Sequence, residues 1–161
     1  MFRTNTKHLQ FGLLDTLAHL PERRRQRLED SWAGEFYREI TCRVDETLFA
    51  PLYADVPSRP NTPVNQLFGI EVLKSGYGWS DAELFEHLDF DLQVRYALGV
   101  RELESDICDP RTIYNFRRRV SAYLQATGVD LFTQAFEALT DAQCAALRLD
   151  TRQQRMDSTQ L

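Results

Sequence analysis

One predicted helix, over residues 110–125, carries a concentration of arginine, asparagine and tyrosine. These side chains read base edges and hold phosphate groups, so their chemistry is that of nucleic-acid binding. At about 100° per residue, Arg111, Tyr114 and Arg118 fall on one face, opposite the apolar stripe. The candidate DNA-contacting residues are Arg111, Tyr114, Asn115, Arg117, Arg118 and Arg119. Arg117 and Arg119 flank the apolar stripe and are the candidate phosphate contacts; the other four are candidate base contacts.

The charge pattern permits a second interpretation of this face. The whole chain has a net charge of −5, which weakens the case for nucleic acid, although phosphate attraction acts only over about 10 Å at ordinary salt. Residues 45–108 hold 4 Lys/Arg and 12 Asp/Glu, a net charge of −8. The arginines of helix 110–125 therefore either face DNA or pair, in solvent, with this acidic segment. A second basic cluster, Arg23–Arg27, has the same ambiguity.

The residues that usually carry catalysis form no recognisable group. The three histidines, His8, His19 and His87, lack metal-ligand spacing, and the three widely separated cysteines argue against a zinc site or a disulfide framework. The sequence contains neither a phosphate-cradling glycine loop nor a Gly-x-Ser-x-Gly nucleophile elbow. We therefore expect no catalytic activity and no cofactor for this chain alone.

Length and composition indicate an ordinary globular protein. The chain has 161 residues, 43% of them hydrophobic and 27% charged, which is enough to bury a core. It contains no run of about 18 apolar residues that would cross a membrane, and the polar stretch 1–10 does not resemble a signal peptide. We therefore expect a cytoplasmic protein with no membrane partner.

The elements that must position the arginine face are predicted to be helices, which makes the fold class all-α. The first long helix begins at Pro21, and an apolar stripe with a four-residue spacing indicates that it continues to Ile40. A short helix follows over 46–53. The next helix is apolar nearly all round, which places it at the centre of the core; Thr62 is its predicted N-cap and Gly78 ends it.

The second half continues the helical pattern. Ser80 and Glu83 form a capping box, a short helix covers 91–98, and Asp109 caps the helix that carries the arginine face. Ile113, Phe116, Val120 and Leu124 are its predicted buried residues. Gly128 ends it, and helices over 129–139 and from Thr140 to about Leu149 follow. The Ser80 helix and the arginine helix together resemble a helix-turn-helix with a long linker, and residues 151–161 are predicted to be extended.

Three stretches of sequence, taken in order, resemble a known family. They run from Pro63 to Leu84 (PVNQLFGIEVLKSGYGWSDAEL), from Arg95 to Val100 (RYALGV) and from Asp109 to Val120 (DPRTIYNFRRRV). This order and spacing resembles the helical InsH N-terminal domain of bacterial insertion-sequence transposases of the DDE type, over roughly residues 40–161. The resemblance implies a helical domain over 1–150 that binds DNA, with the element's terminal inverted repeats as the partner.

The resemblance also gives a meaning to the last residues. The run Arg155-Met156-Asp157-Ser158-Thr159 is similar to the first strand of the family's RNase H-like catalytic core, so residues 151–161 would be the start of that core. Asp157 would then be the first carboxylate of the Asp-Asp-Glu triad and a ligand of Mg²⁺, in a full-length context only. The sequence ends four residues later, so we expect a truncated or split transposase that is inactive alone.

Two further functions stay open beside DNA binding. The helical domain is alternatively an interaction module that pairs with itself or with a full-length transposase and inhibits it, with the apolar stripe from Leu28 to Ile40 as the candidate surface. The third hypothesis is a vestigial product without a selected activity.

Overall fold

The computed structural model describes residues 1–9, 15–54, 60–102 and 107–148. Within them the chain is helical and contains no strand, which confirms the all-α prediction. The α-helices are α1 (Glu22–Glu29), α2 (Trp32–Phe36), α3 (Val64–Tyr77), α4 (Asp81–Phe90), α5 (Leu92–Ala97), α6 (Pro110–Thr127) and α7 (Leu131–Ala146). Short 3₁₀ helices cover Lys7–Leu9, Thr16–His19 and Glu46–Leu52, and a π-helical turn covers Tyr37–Thr41.

Helix α3 lies at the centre of the main core, as its all-round apolar sequence predicts. Phe68 and Ile70 on this helix are fully buried. Phe68 packs against Phe49 and Phe132, with ring centroids 6.1 and 5.4 Å away, and Phe116 of α6 lies 5.8 Å from Phe49. This cluster of four phenylalanines joins α3, α6, α7 and the 46–52 helix, and it fixes how α6 sits on the protein.

The first predicted long helix is broken into α1 and α2. Ser31 caps α2 by accepting a hydrogen bond from the Ala33 amide, so the chain restarts a helix where the four-residue stripe suggested continuity. At Gly34 a β-carbon would lie 2.0 Å from the Glu29 carbonyl oxygen, so the close approach of the two helices requires glycine there. Trp32 is 36% exposed as a result, and the prediction of one helix from Pro21 to Ile40 was wrong.

The N-terminus of α3 is capped from a distance. The Glu46 carboxylate, although buried, accepts hydrogen bonds from the amides of Val64 and Asn65, and its other oxygen accepts from the amide of Asn5. The predicted cap, Thr62, makes no such bond, because Pro63 is the capping position and has no polar side chain. A carboxylate at this end also complements the positive end of the helix dipole.

The last part of the described chain is one helix and not two. Helix α7 continues from Leu131 to Ala146 without a break. The Thr140 hydroxyl donates to the carbonyls of Phe136 and Glu137 one turn earlier, as threonine does inside helices, so the predicted capping box at Thr140 was wrong. The other predicted caps are confirmed: the Ser80–Glu83 capping box, Asp109, and glycines in the left-handed conformation at 78 and 128. Asp91, predicted to be the first residue of the short helix 91–98, is the N-cap of α5.

Candidate nucleic-acid interface

Helix α6 separates a buried face from an exposed face. Asp109 caps it through a 2.7 Å hydrogen bond from the Arg111 amide, and Pro110 occupies its first position. Ile113, Phe116 and Val120 are 1%, 2% and 8% exposed, as predicted. Leu124 was predicted to be buried with them but is 40% exposed, because the last turns of α6 extend past the core.

The open stripe of α6 consists of Arg111, Tyr114 and Arg118. All three are exposed, Tyr114 at 49%. Neither Arg111 nor Arg118 forms an ion pair with a carboxylate among the described residues. Asn115 is half-buried beside this stripe, and its Oδ1 accepts a 3.4 Å hydrogen bond from Arg118 Nη2. Two guanidinium groups without a carboxylate partner therefore face outward from a helix that is fixed on the core, and between them lies the exposed Tyr114 ring, whose hydroxyl donates to Asp81 of α4.

Arg117 behaves differently from its two neighbours in sequence. Its Nε lies 2.8 Å from Glu71 of α3, and its Nη1 lies 2.9 Å from Asp81 of α4. Its guanidinium also lies 5.6 Å from the centre of the Tyr114 ring. The hydrogen bond from Arg117 holds the pKa of the Asp81 carboxyl below its usual value. Arg117 therefore pairs with the acidic middle segment, whereas Arg111 and Arg118 lie on the exposed face.

Arg119 lies on the other edge of α6, next to the 46–52 helix. Its guanidinium is 5.2 Å from the centre of the Tyr53 ring, which is a cation–π distance. Burial raises the pKa of the Tyr53 hydroxyl, so this group stays protonated and able to donate at neutral pH. The structure thus brings Arg111, Tyr114, Asn115 and Arg118 together, and places Arg117 and Arg119 on opposite sides of them.

The helix-turn-helix arrangement stays a prediction. Residues 91–109 connect α4 to α6, and this connection contains α5. Both helices contribute to the main core, Leu84 and Leu88 from α4 and Ile113 and Phe116 from α6. Arg117 and Tyr114 of α6 both interact with the Asp81 carboxylate of α4. Helix α6 is also held by the Arg117–Glu71 ion pair with α3 and by the phenylalanine cluster.

Among the described residues, no group of three or more His, Cys, Asp or Glu side chains could hold a metal ion. Asp157 and the predicted extended segment 151–161 lie outside the described residues. No helix in the described part of the chain is long and apolar enough to cross a membrane.

Sequence reasoning missed the partners that position the arginine face. Glu71 and Asp81 lie 46 and 36 residues before Arg117, and neither spacing appears in a local pattern. The position of Arg117 on the flank of the apolar stripe was the available signal, because a charged residue at the edge of a buried face often needs a carboxylate partner. Tyr53 carried no signal that would place it beside Arg119.

Comparison with known proteins gives one match. A family model described as Transposase domain (DUF772) matches residues 23–119, which is more than half of the chain. The match begins at the second residue of α1, covers α2 to α5, and includes all six candidate residues of α6. No curated protein and no solved structure matches the chain.

Proposed function

The chain belongs to the DUF772 transposase domain family, and from this premise we propose that it is the DNA-binding N-terminal domain of a DDE transposase, bound to the element's terminal inverted repeats. The observation that carries the proposal is the open stripe of α6. An 18-residue helix held by a phenylalanine cluster exposes Arg111, Tyr114 and Arg118. The two arginines have no carboxylate partner among the described residues, whereas the Tyr114 hydroxyl donates to Asp81 of α4. A helix of this kind fits the major groove of B-DNA.

The roles of the individual residues follow from their exposure. In our proposal Arg111 and Arg118 contact base edges, because an arginine fork matches the two acceptors of guanine. Tyr114 and Asn115 contact neighbouring bases or sugars, and Arg119 contacts phosphate. Arg117 was predicted to contact phosphate as well; its two ion pairs favour a positioning role instead, in which it holds Tyr114 and fixes α6 against α3 and α4.

A charge-reversal variant tests the proposal. R111E/R118E is compared with wild type by fluorescence anisotropy on a duplex of the element's terminal repeat and on a scrambled duplex. We expect binding to the repeat to be abolished, because two unpaired cations become anions that repel the phosphates. The control K7E/R148E changes two other exposed cations, so it has the same net charge and should keep its affinity. Unchanged affinity of R111E/R118E would show that α6 is not the recognition element.

We propose in addition that Asp157 supplies the first carboxylate of a metal-binding Asp-Asp-Glu triad in a full-length context, with Mg²⁺ as the metal. The support is the similarity of residues 155–159 to the first strand of the family's catalytic core, together with the family match over residues 23–119 earlier in the chain. Sequencing the locus past codon 161 in all three frames tests this. A downstream strand-rich segment with an Asp and a later Glu supports the triad, and its absence refutes it.

A second candidate function is pairing with another copy or with a full-length transposase. It is favoured by a groove of about 700 Å³ between α2, the π-helical turn and the end of α7. Trp32 and Leu147 are 36% and 69% exposed there, whereas Leu28 of the predicted stripe is buried. Sedimentation velocity over a concentration series tests it. A tight dimer without DNA affinity favours the interaction module, and a monomer that binds DNA refutes it.

A further inference from the structure

A polar pocket lies along the edge of α6 that is opposite Arg117. It has a volume of about 480 Å³, within the usual range of ligand pockets, and is bounded by α6, by residues 52–54 at the end of the 3₁₀ helix, by residues 60–62, by Leu67 of α3 and by Met1. Its polar side chains are Tyr53, Asn61, Thr62, Thr112, Asn115 and Arg119. Among the described residues that line it, none carries a carboxylate.

The polar side chains around this pocket are rich in available donors. Arg119 contacts the Tyr53 ring but forms no ion pair within the described part of the chain. Asn115 has its Oδ1 engaged by Arg118, which leaves the Nδ2 donors for another acceptor. The hydroxyls of Tyr53, Thr62 and Thr112 form no hydrogen bond with any described residue.

Asn61 has a different part in this arrangement. Its Oδ1 accepts from the Arg3 amide, and its Nδ2 donates to the carbonyls of Arg3 and Thr62. All of these bonds are with backbone, so Asn61 holds the N-terminal segment at the rim of the pocket. Among the side chains that line the pocket, the donors that remain are one cation, one amide and three hydroxyls, and none of the described lining side chains is an anion.

This composition selects an anion with several acceptor oxygens. A guanidinium with neighbouring neutral donors is the usual protein partner of a phosphate group, because both its charge and its several N–H groups are used. The open rim also suits a phosphate that is part of a chain, since a phosphodiester needs room for the sugars on both sides. We infer that the pocket formed by Tyr53, Thr62, Thr112, Asn115 and Arg119 binds a phosphate group.

The position of the pocket on α6 connects it with the open stripe. At about 100° per residue, Thr112, Asn115 and Arg119 form one edge of the helix, about 100° around from the stripe of Arg111, Tyr114 and Arg118. A nucleic-acid strand that lies across the open stripe therefore has its backbone next to the pocket. That the phosphate belongs to DNA rests on the proposed function, whereas the preference for phosphate rests on the pocket alone.

The first experiment uses inorganic phosphate and the full chain. Titration at constant ionic strength, with chloride as the balancing anion, is followed by NMR on the side-chain resonances of Asn115 and Arg119. We expect saturable shifts at both residues, loss of the Asn115 shift in R119Q, and a weaker but saturable response in T112V, which keeps the charge and nearly the same shape. R148Q, which removes an exposed arginine elsewhere, should respond like wild type. Shifts absent from Asn115 and Arg119 in wild type, or an Asn115 shift that R119Q leaves unaltered, would overturn the inference.

The second experiment identifies the source of the phosphate. Affinity for the terminal-repeat duplex is measured against salt concentration for wild type, R119Q and R148Q. One lost phosphate contact reduces the slope of log K against log [salt] by about 0.9, and R119Q should show this loss equally on the scrambled duplex. R148Q should keep the wild-type slope.

The two experiments separate the failure of the pocket from the failure of DNA binding. If wild type binds no DNA but Asn115 and Arg119 respond to phosphate, the pocket stands, and its ligand is a free phosphate compound. If wild type binds DNA with a slope that R119Q does not change, and phosphate causes no shifts, the pocket is refuted while the proposed function stands.

Discussion

Two helices of this protein carry three consecutive arginines, and the surroundings of the two clusters differ. On α1, Arg25 pairs with Glu22 and Glu29 of the same helix, and Arg23 and Arg24 are exposed. On α6, Arg117 pairs with Glu71 of α3 and Asp81 of α4. The first cluster is stabilised by its own helix, and the second is tied to two other helices.

The two helices also differ in how they are anchored. Leu28 is the only residue of α1 that is buried, and it belongs to a small satellite cluster. Helix α6 buries three residues in the main core, with Phe116 among the four packed phenylalanines. A binding face needs a fixed geometry, because a side chain must meet its base or phosphate in one orientation. The firmer anchoring therefore favours α6 over α1 as the DNA-binding helix, although the two helices carry similar numbers of arginines.

The largest expected effect concerns this anchoring. F116A should lower the free energy of unfolding by about 3–5 kcal/mol, because it leaves a cavity beside Phe49 and Phe132. L28A should cost about 2 kcal/mol, at the low end for leucine, since its cluster is small and near the surface. Urea unfolding monitored by circular dichroism measures both. Equal losses would show that α1 is anchored as firmly as α6.

A smaller effect is expected from the ion pairs of the two clusters. R117M removes one partner of two carboxylates, Glu71 and Asp81, whose side chains are 19% and 36% exposed. Asp81 keeps Lys74 at 3.5 Å, so the change should cost about 1–2 kcal/mol after allowance for solvent screening. R25M breaks exposed pairs within one helix and should cost less than about 0.5 kcal/mol. The same urea measurement applies to both. A cost for R25M as large as that of R117M would contradict the distinction between local and tertiary pairing.

The pH dependence of this difference has a defined sign. Arg117 lowers the pKa of Asp81 in the folded state, so the stability from this pair is present above the unfolded value, about 3.9, and is lost as the pH falls through the folded value. The difference in unfolding free energy between wild type and R117M should therefore be constant near pH 7 and shrink below about pH 4. A difference that stays constant down to pH 3 would show that Asp81 gains nothing from Arg117.

The same distinction between local and distant contacts explains what the sequence could predict. Ser80, Asp109 and Gly128 act within a few residues of themselves, and all three helix boundaries were predicted correctly. Glu46 caps α3 from 18 residues away, and Gly34 allows α2 to approach α1, so both depend on tertiary contacts that no spacing rule contains. For the arginine face, helical geometry predicted the exposed stripe. The partners of Arg117 and Arg119 could be identified only from the folded structure.

The smallest expected effect is in DNA binding by the α1 cluster. R23E/R24E has the same charge change as R111E/R118E and as the K7E/R148E control. If only the fixed arginines of α6 touch DNA, the α1 variant acts through long-range repulsion, which salt screens within about 10 Å. Its affinity for the terminal-repeat duplex should then resemble that of the control, and any residual loss should vanish as salt is raised. A loss that approaches that of R111E/R118E and persists at high salt would place α1 in the interface, and the anchoring of a helix would no longer distinguish the DNA-binding cluster from the solvated one.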